Sequence, residues 1–294
     1  MSDGLLQNSH GNRPRIVQDD IFPEGIAAID FAAEAGTLLV GTNAGHLTLL
    51  NSSGELIRTA RNYSGLRKLA WSGTGQFGAA VQGDNSLVCF GNDLKPVWDV
   101  QFTGNIVGLA VSPYGSHLAV SSDSSRTHIV TTERKEVARF ESPRPLDFLH
   151  FLHEKPQLLG AAEFGHLCCH ELDGNEVWEE RIMNNVGGMS VSGCGRRILL
   201  AAFNHGIQVL NSYGKQRGAF MIDGIPGSVS AATIKNRLAA TTLESRVYWL
   251  NFEGELIWAA DLSQDPPQHI LAGPLADRLF LTTQSGRLLQ LAWA

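Results

Sequence analysis

Four titratable side chains fall in two columns of a repeated pattern: Asp30, Lys68, His150 and His269. A carboxylate, an ammonium and two imidazoles gathered about one axis would suit acid–base catalysis or capture of a small ligand. Their column neighbours are mostly small. One column reads Ala28, Lys68, Gly108, Phe148, Gly188, Ser228 and His269. The other reads Asp30, Ala70, Ala110, His150, Ser190, Ser230 and Leu271. Isolated polar groups satisfied by backbone or water are the plain alternative to a site. His46 and His166 open matching "GHL" phrases and His205 lies one column away, but the three fall in different repeats, so no shared metal is expected. Cys89, Cys168, Cys169 and Cys194 lack the paired C-x-x-C spacing of a zinc site. Cys168 and Cys169 are adjacent, and successive side chains of a strand face opposite ways. These residues predict no metal, no cofactor and no catalytic motif.

The columns exist because the chain repeats. Ile29, Leu69, Leu109, Leu149, Met189 and Val229 are forty residues apart, as are Leu50, Phe90 and Val130, and later Leu210 and Leu250. The series continues at Ile270 and Leu291 with a step of forty-one, which places one extra residue in "LSQDPPQH". Each repeat holds a first apolar run such as "IVGLAV", a turn such as "SPYG", and a second run such as "SHLAVSS". A polar loop then leads to a third run such as "RVYWL", and a tight turn such as "NFEG" into a fourth. Four runs of about five residues joined by turns predict a small antiparallel sheet. One such sheet cannot bury both faces, and seven packed face to face around an axis can. The expected fold is therefore all-β, a seven-bladed β-propeller. Its blades are predicted at about 25–62, 63–102, 103–142, 143–182, 183–222, 223–263 and 264–294.

The seventh repeat stops after its third run, and "PRIVQDD" reads like a displaced fourth strand. Residues 14–24 are thus expected to complete blade seven, with 1–13 a flexible leader, all within one domain over 14–294. On that reading, deletion of 1–20 lowers the melting temperature sharply and deletion of 1–12 does little.

The G-x-x-x-W spacing of Gly174–Trp178 and Gly254–Trp258 resembles the repeat of pyrroloquinoline-quinone-type propellers. Trp98 shares the column, with Leu94 in place of the glycine. The resemblance implies quinone and calcium in a central channel of an exported, eight-bladed enzyme. Here there are seven repeats, no basic-then-apolar export signal at the start, and no acidic cluster in the first strands to hold calcium. WD-repeat propellers are similar in period, but their terminal Trp-Asp is missing, and Trp98-Asp99 falls in a fourth strand. The tryptophans are read as structural rings over neighbouring blades.

With 43% hydrophobic residues and a net charge of −6, the chain has enough apolar content for a large core and no global basic field. Nucleic acid and membrane are therefore not expected partners. A reducing, cytoplasmic setting is expected from the cysteines and the polar N-terminus. Segments between blades and loops joining second to third strands are predicted on one face. They carry Tyr63, Phe102, Phe164, Phe203, His205, Arg126, Arg144 and Arg246. Aromatic and arginine side chains are enriched in protein interfaces. A non-catalytic scaffold binding another protein or a peptide through this face is the first expectation, unless several aromatics turn inward. An enzyme or small-ligand sensor using the channel is the alternative, and a structural subunit of a larger assembly is a third.

Overall fold

In the computed structural model, which describes residues 6–293, each predicted repeat folds as an antiparallel meander of four strands. The strands form seven sheets, and no helix occurs among the described residues. Blade three is representative, with strands Ile106–Val111, His117–Ser122, Arg126–Thr131 and Glu136–Glu141. Its second strand is buried throughout after His117. Leu118 and Val120 pack toward blade two, and Ala119 toward blade four. A strand with a blade on either side needs apolar or small residues at every position, which is why these runs do not alternate in sequence. The fourth strand alternates exposed and covered side chains because only one of its faces meets a neighbour.

The chain divides into two compact units. One is Ile26–Ile182, blades one to four; the other is Met183 onward together with the N-terminal residues through Gly25. In the first, Leu39, Tyr63, Trp71 and Phe90 pack between blades one and two. In the second, Leu199, Leu238, Tyr248 and Leu250 pack between blades five and six, and Trp249, Trp258, Leu279 and Leu289 between six and seven.

In blades one, five and six the recurring phrase before the fourth strand is an Asx turn on Asn51, Asn211 and Asn251. The Asn51 Oδ1 accepts the amides of Ser53 and Glu55, each at 2.9 Å. Asn251 does the same for Glu253 and Glu255 at 3.1 and 2.8 Å. The residue three positions on must then turn left-handed: Gly54 has φ 84° and Gly254 φ 87°. Leu94 and Arg134 occupy the same column at φ 60° and 67° despite their side chains.

The N-terminus closes blade seven as predicted. Arg15–Ile21 pairs antiparallel with Arg287–Ala292, from Arg15 opposite Ala292 to Ile21 opposite Arg287. Arg287 grips Asp19 with both ends of its guanidinium, at 3.0 and 2.5 Å.

The flexible leader expected over 1–13 is corrected. Residues 1–5 lie outside the described residues, but from Leu6 on the chain is bound to blade six. Ser9–Gly11 pairs antiparallel with Leu256–Asp261, giving that blade a fifth strand. Asp261 donates its amide to the Asn8 carbonyl at 3.0 Å, and the Asn12 amide reaches the Ile257 carbonyl at 2.7 Å. Leu6 is buried in the core between blades six and seven, and Trp293 donates its indole N–H to the Asn12 carbonyl at 2.7 Å. Gly11 is required here, because a Cβ would lie 2.3 Å from the Ile257 carbonyl oxygen.

Candidate binding surfaces

The inner first strands use their polar residues to tie one blade to the next. Asp30 Oδ2 accepts the amide of Trp71 at 2.7 Å, and Oδ1 accepts that of Phe31 at 2.8 Å. In the other unit Ser190 Oγ accepts the amide of Ala231 at 2.9 Å, and Ser230 Oγ that of Ala272 at 3.0 Å. All three acceptors share one sequence column, and each takes an amide about forty residues ahead. The column that sequence reading marked for acid–base chemistry is thus a blade-to-blade latch in these three blades.

Burial moves the neighbouring titrations. The Asp30 carboxyl is pushed up to about 6 by loss of hydration, against the pull of its two amide donors. The His150 imidazole is pushed down to about 4 by burial, with His153 adding to the effect. Lys68 is lowered by burial, partly offset by the Asp147 carboxylate. No hydrogen bond or ion pair joins Asp30, Lys68 and His150 to one another among the described residues; Asp30 is engaged with backbone amides instead. The His269 backbone amide donates to the Thr282 hydroxyl oxygen at 3.1 Å. Among the described residues no three His, Cys, Asp or Glu side chains are placed to share a metal ion. His166 is buried with Glu179 at 3.6 Å. Cys168 and Cys169 face opposite sides of their strand, in apolar contact with Leu146 and beside Gln157 respectively, and burial pushes both thiols up to about 12.

The predicted loop residues differ in exposure and in place. Tyr63 is unavailable to a partner. It is 1% exposed, donates its hydroxyl to the Leu94 carbonyl at 2.9 Å and meets Phe90 edge-on at 5.5 Å. An inter-blade tyrosine whose ring can fill the core and whose OH finds a carbonyl is buried at little cost. Phe164, Arg144 and His205 are exposed, Phe164 by 57%. Phe203 is half-buried over Gly187, and Arg246 is ion-paired with Asp223. In the blade five to seven unit the loops expose further apolar side chains: Met183 at 97%, with Met221, Ile225 and Leu243. Leu243 donates its amide to the Ile225 carbonyl at 2.9 Å, which brings these two side chains' loops together. Ile225 and Leu243 were not singled out from sequence, because aliphatic residues in a loop carry no signal until their exposure is known.

Phe102 and Arg126 meet in a different place, a groove between blades two and three. The cavity is about 360 Å³ and runs along the outer strand Pro96–Gln101 of blade two. One wall carries Trp98, Val100 and Phe102; the other carries Arg126, His128 and Val130, with Arg134 and Arg139 beside them. Phe102 meets His128 edge-on at 5.2 Å, and His128 binds Glu136 at 2.7 Å. Trp98 donates its indole N–H to the Thr132 carbonyl at 2.7 Å, which fixes the ring across the blade boundary. Arg126, His128 and Val130 alternate along a third strand, and Arg139 stands opposite His128. That period of two was legible in the sequence; the cleft it faces was not.

These meanders, with a first segment returning to complete the last sheet, define a seven-bladed β-propeller. Among solved structures the chain is similar to the beta-propeller domain of Cps50 (Swd1) from Myceliophteria thermophila. The likeness has a TM-score of 0.80 at 15% identity and covers 96% of this chain and 100% of that one. At this identity only the fold carries over. No family model and no curated protein sequence matches the chain.

Proposed function

We propose that the protein is a non-catalytic scaffold that binds another protein or a peptide through its loops, in a reducing, cytoplasmic setting. The observation that carries this reading is the set of large apolar side chains held out into solvent by ordered loops. These are Phe164 in blades one to four, and Met183, Met221, Ile225 and Leu243 in blades five to seven. The loops of Ile225 and Leu243 adjoin, and adjoining apolar side chains exposed on loops of a rigid framework are the usual mark of an interface. The inner-strand residues support it from the other side, since Asp30 is spent on a backbone latch. Four unpaired thiols suit a reducing compartment.

The test is partner capture from native extract by the full chain and by a Met183→Ser, Met221→Ser, Leu243→Ser variant, all three at exposed positions of the blade five to seven unit. The variant should keep its melting temperature and lose the captured species by about tenfold or more, as central interface anchors do. Capture that survives all three changes would sink this choice of surface.

A further inference from the structure

Blades two and six carry tryptophan in the same column, Trp98 and Trp258, yet their outer edges differ. On blade six the edge is covered by the chain's own N-terminal segment, with Leu6 packed against the core that contains Trp258 and Leu289. On blade two, Pro96–Gln101 is the terminal strand of its sheet, and the space beside Trp98 is the open groove. We propose that this groove docks an extended acidic peptide of a partner protein. The peptide adds as an antiparallel strand to Pro96–Gln101 and places one large apolar side chain against Trp98.

The molecule's own N-terminus supplies the geometry. Strand addition on blade six uses the Asp261 amide and the Ile257 carbonyl. Four repeats earlier the corresponding groups are the Gln101 amide and the Val97 carbonyl. Main-chain bonds of this kind give affinity for any extended chain, and pockets for alternate side chains give selectivity. The residues that set the chemistry differ between the two blades. Leu289 and Leu291 flank the blade-six core, and their counterparts at the groove are His128 and Val130.

Charge then chooses the occupant. The groove lining holds Arg126, Arg134 and Arg139 against one carboxylate, Glu136, in a chain whose net charge is −6. Glu136 is bound by His128, and Arg126 is bound by Glu141 at 3.0 Å. No ion pair forms at Arg134 or Arg139 among the described residues, and both side chains are exposed. Two unpaired guanidinium groups beside an aromatic cleft suit carboxylates flanking an apolar side chain. The inference stands apart from the loop reading, because none of Phe164, Met183, Met221 or Leu243 lines this groove.

A random twelve-residue peptide library panned on the full chain tests it, with Arg134→Glu/Arg139→Glu as the counter-selecting bait. Both substitutions are at exposed positions, so an unchanged melting temperature certifies the variant. Peptides retained only by the parent should carry Asp or Glu at alternating positions around a Leu, Ile or Phe. A synthetic consensus peptide should bind the parent at least about tenfold more tightly than the variant and weaken with added salt. N-methylation of the amides that face the strand edge should abolish binding, and Phe164→Ala should leave it unchanged. Failure to recover any peptide that distinguishes the two baits overturns the proposal, as does full tolerance of N-methylation. Displacement of the peptide by millimolar inorganic phosphate alone would reassign the groove to a small anion and overturn strand addition.

Discussion

Asp30 does with a carboxylate what Ser190 and Ser230 do with a hydroxyl: it accepts the amide of the next first strand. The difference is charge. Its folded-state value, raised to about 6, means the native protein holds this proton more tightly than the unfolded chain does. The stability Asp30 contributes is therefore complete below the ordinary carboxyl range and is lost as pH rises through about 6. His150 runs the other way. Its value near 4 lies below the ordinary imidazole range, so its contribution is present above pH 6.5 and lost as pH falls through about 4. Between pH 4 and 6 the two slopes oppose. Asp30→Ser keeps an acceptor and removes one slope, so the variant should gain on the parent as pH rises from 4 to 7. The raised carboxyl makes that gain on the order of 1–3 kcal/mol across the window. Paired thermal melts at pH 4, 5, 6 and 7 read it directly. A constant difference in melting temperature would mean that Asp30 titrates normally.

The turn before each fourth strand is the element where sequence and structure agree most closely, and it yields a contrast within one column. Leu94 and Arg134 both adopt the left-handed backbone that Gly54 and Gly254 adopt freely. Arg134→Gly should relieve about 1–2 kcal/mol of local strain and return part of it as unfolded-chain entropy, for a net gain of about 0.5–1 kcal/mol. Leu94→Gly relieves the same strain but removes a side chain that is 1% exposed and packed in the blade-one to blade-two core. It should lose about 1–3 kcal/mol on balance. Denaturant midpoints of the two variants should move in opposite directions, and movement in the same direction would refute the account. The glycine-bearing phrases, the even spacing and the returning strand at Arg15–Ile21 were all readable in the sequence, because each is a local backbone requirement repeated in register. The site residues were less so. Tyr63 and Phe164 occupy comparable inter-element segments, and one is core while the other is solvent-facing; that depends on which neighbouring side chain leaves a cavity, as Phe90 and Leu94 do for Tyr63. The latch role of Asp30 was hidden for the same reason, since its partner amide lies a whole repeat away.

At the scale of the whole chain, the N-terminal residues perform two separate tasks in the unit that holds blades five to seven. Arg15–Ile21 supplies the missing fourth strand of blade seven, with Asp19 held by Arg287. Leu6 to Asn12 covers the edge of blade six and ends under the indole of Trp293, whose ring stacks on Trp249 at 5.1 Å. The first task is legible in the sequence and the second is not, because a single pair of leucines in a polar stretch carries no period. Deletion of residues 1–12 should therefore cost stability, through loss of the Leu6 contacts and of the added strand. Leu6→Ala alone should account for about 2–4 kcal/mol, the usual range for a fully buried leucine. Deletion of 1–20 should cost more, because it also opens the Arg287–Ala292 edge and invites association between chains. The expected order of melting temperatures is full chain, then the 1–12 deletion, then the 1–20 deletion, with light scattering rising only in the last. If the 1–12 deletion melts with the full chain, the strand on blade six is an ornament and the precedent for peptide addition on blade two falls with it. If it melts lower and Leu6→Ala reproduces most of the loss, then one apolar side chain and a short strand suffice to hold a segment on a blade edge, the arrangement that the groove beside Trp98 leaves open.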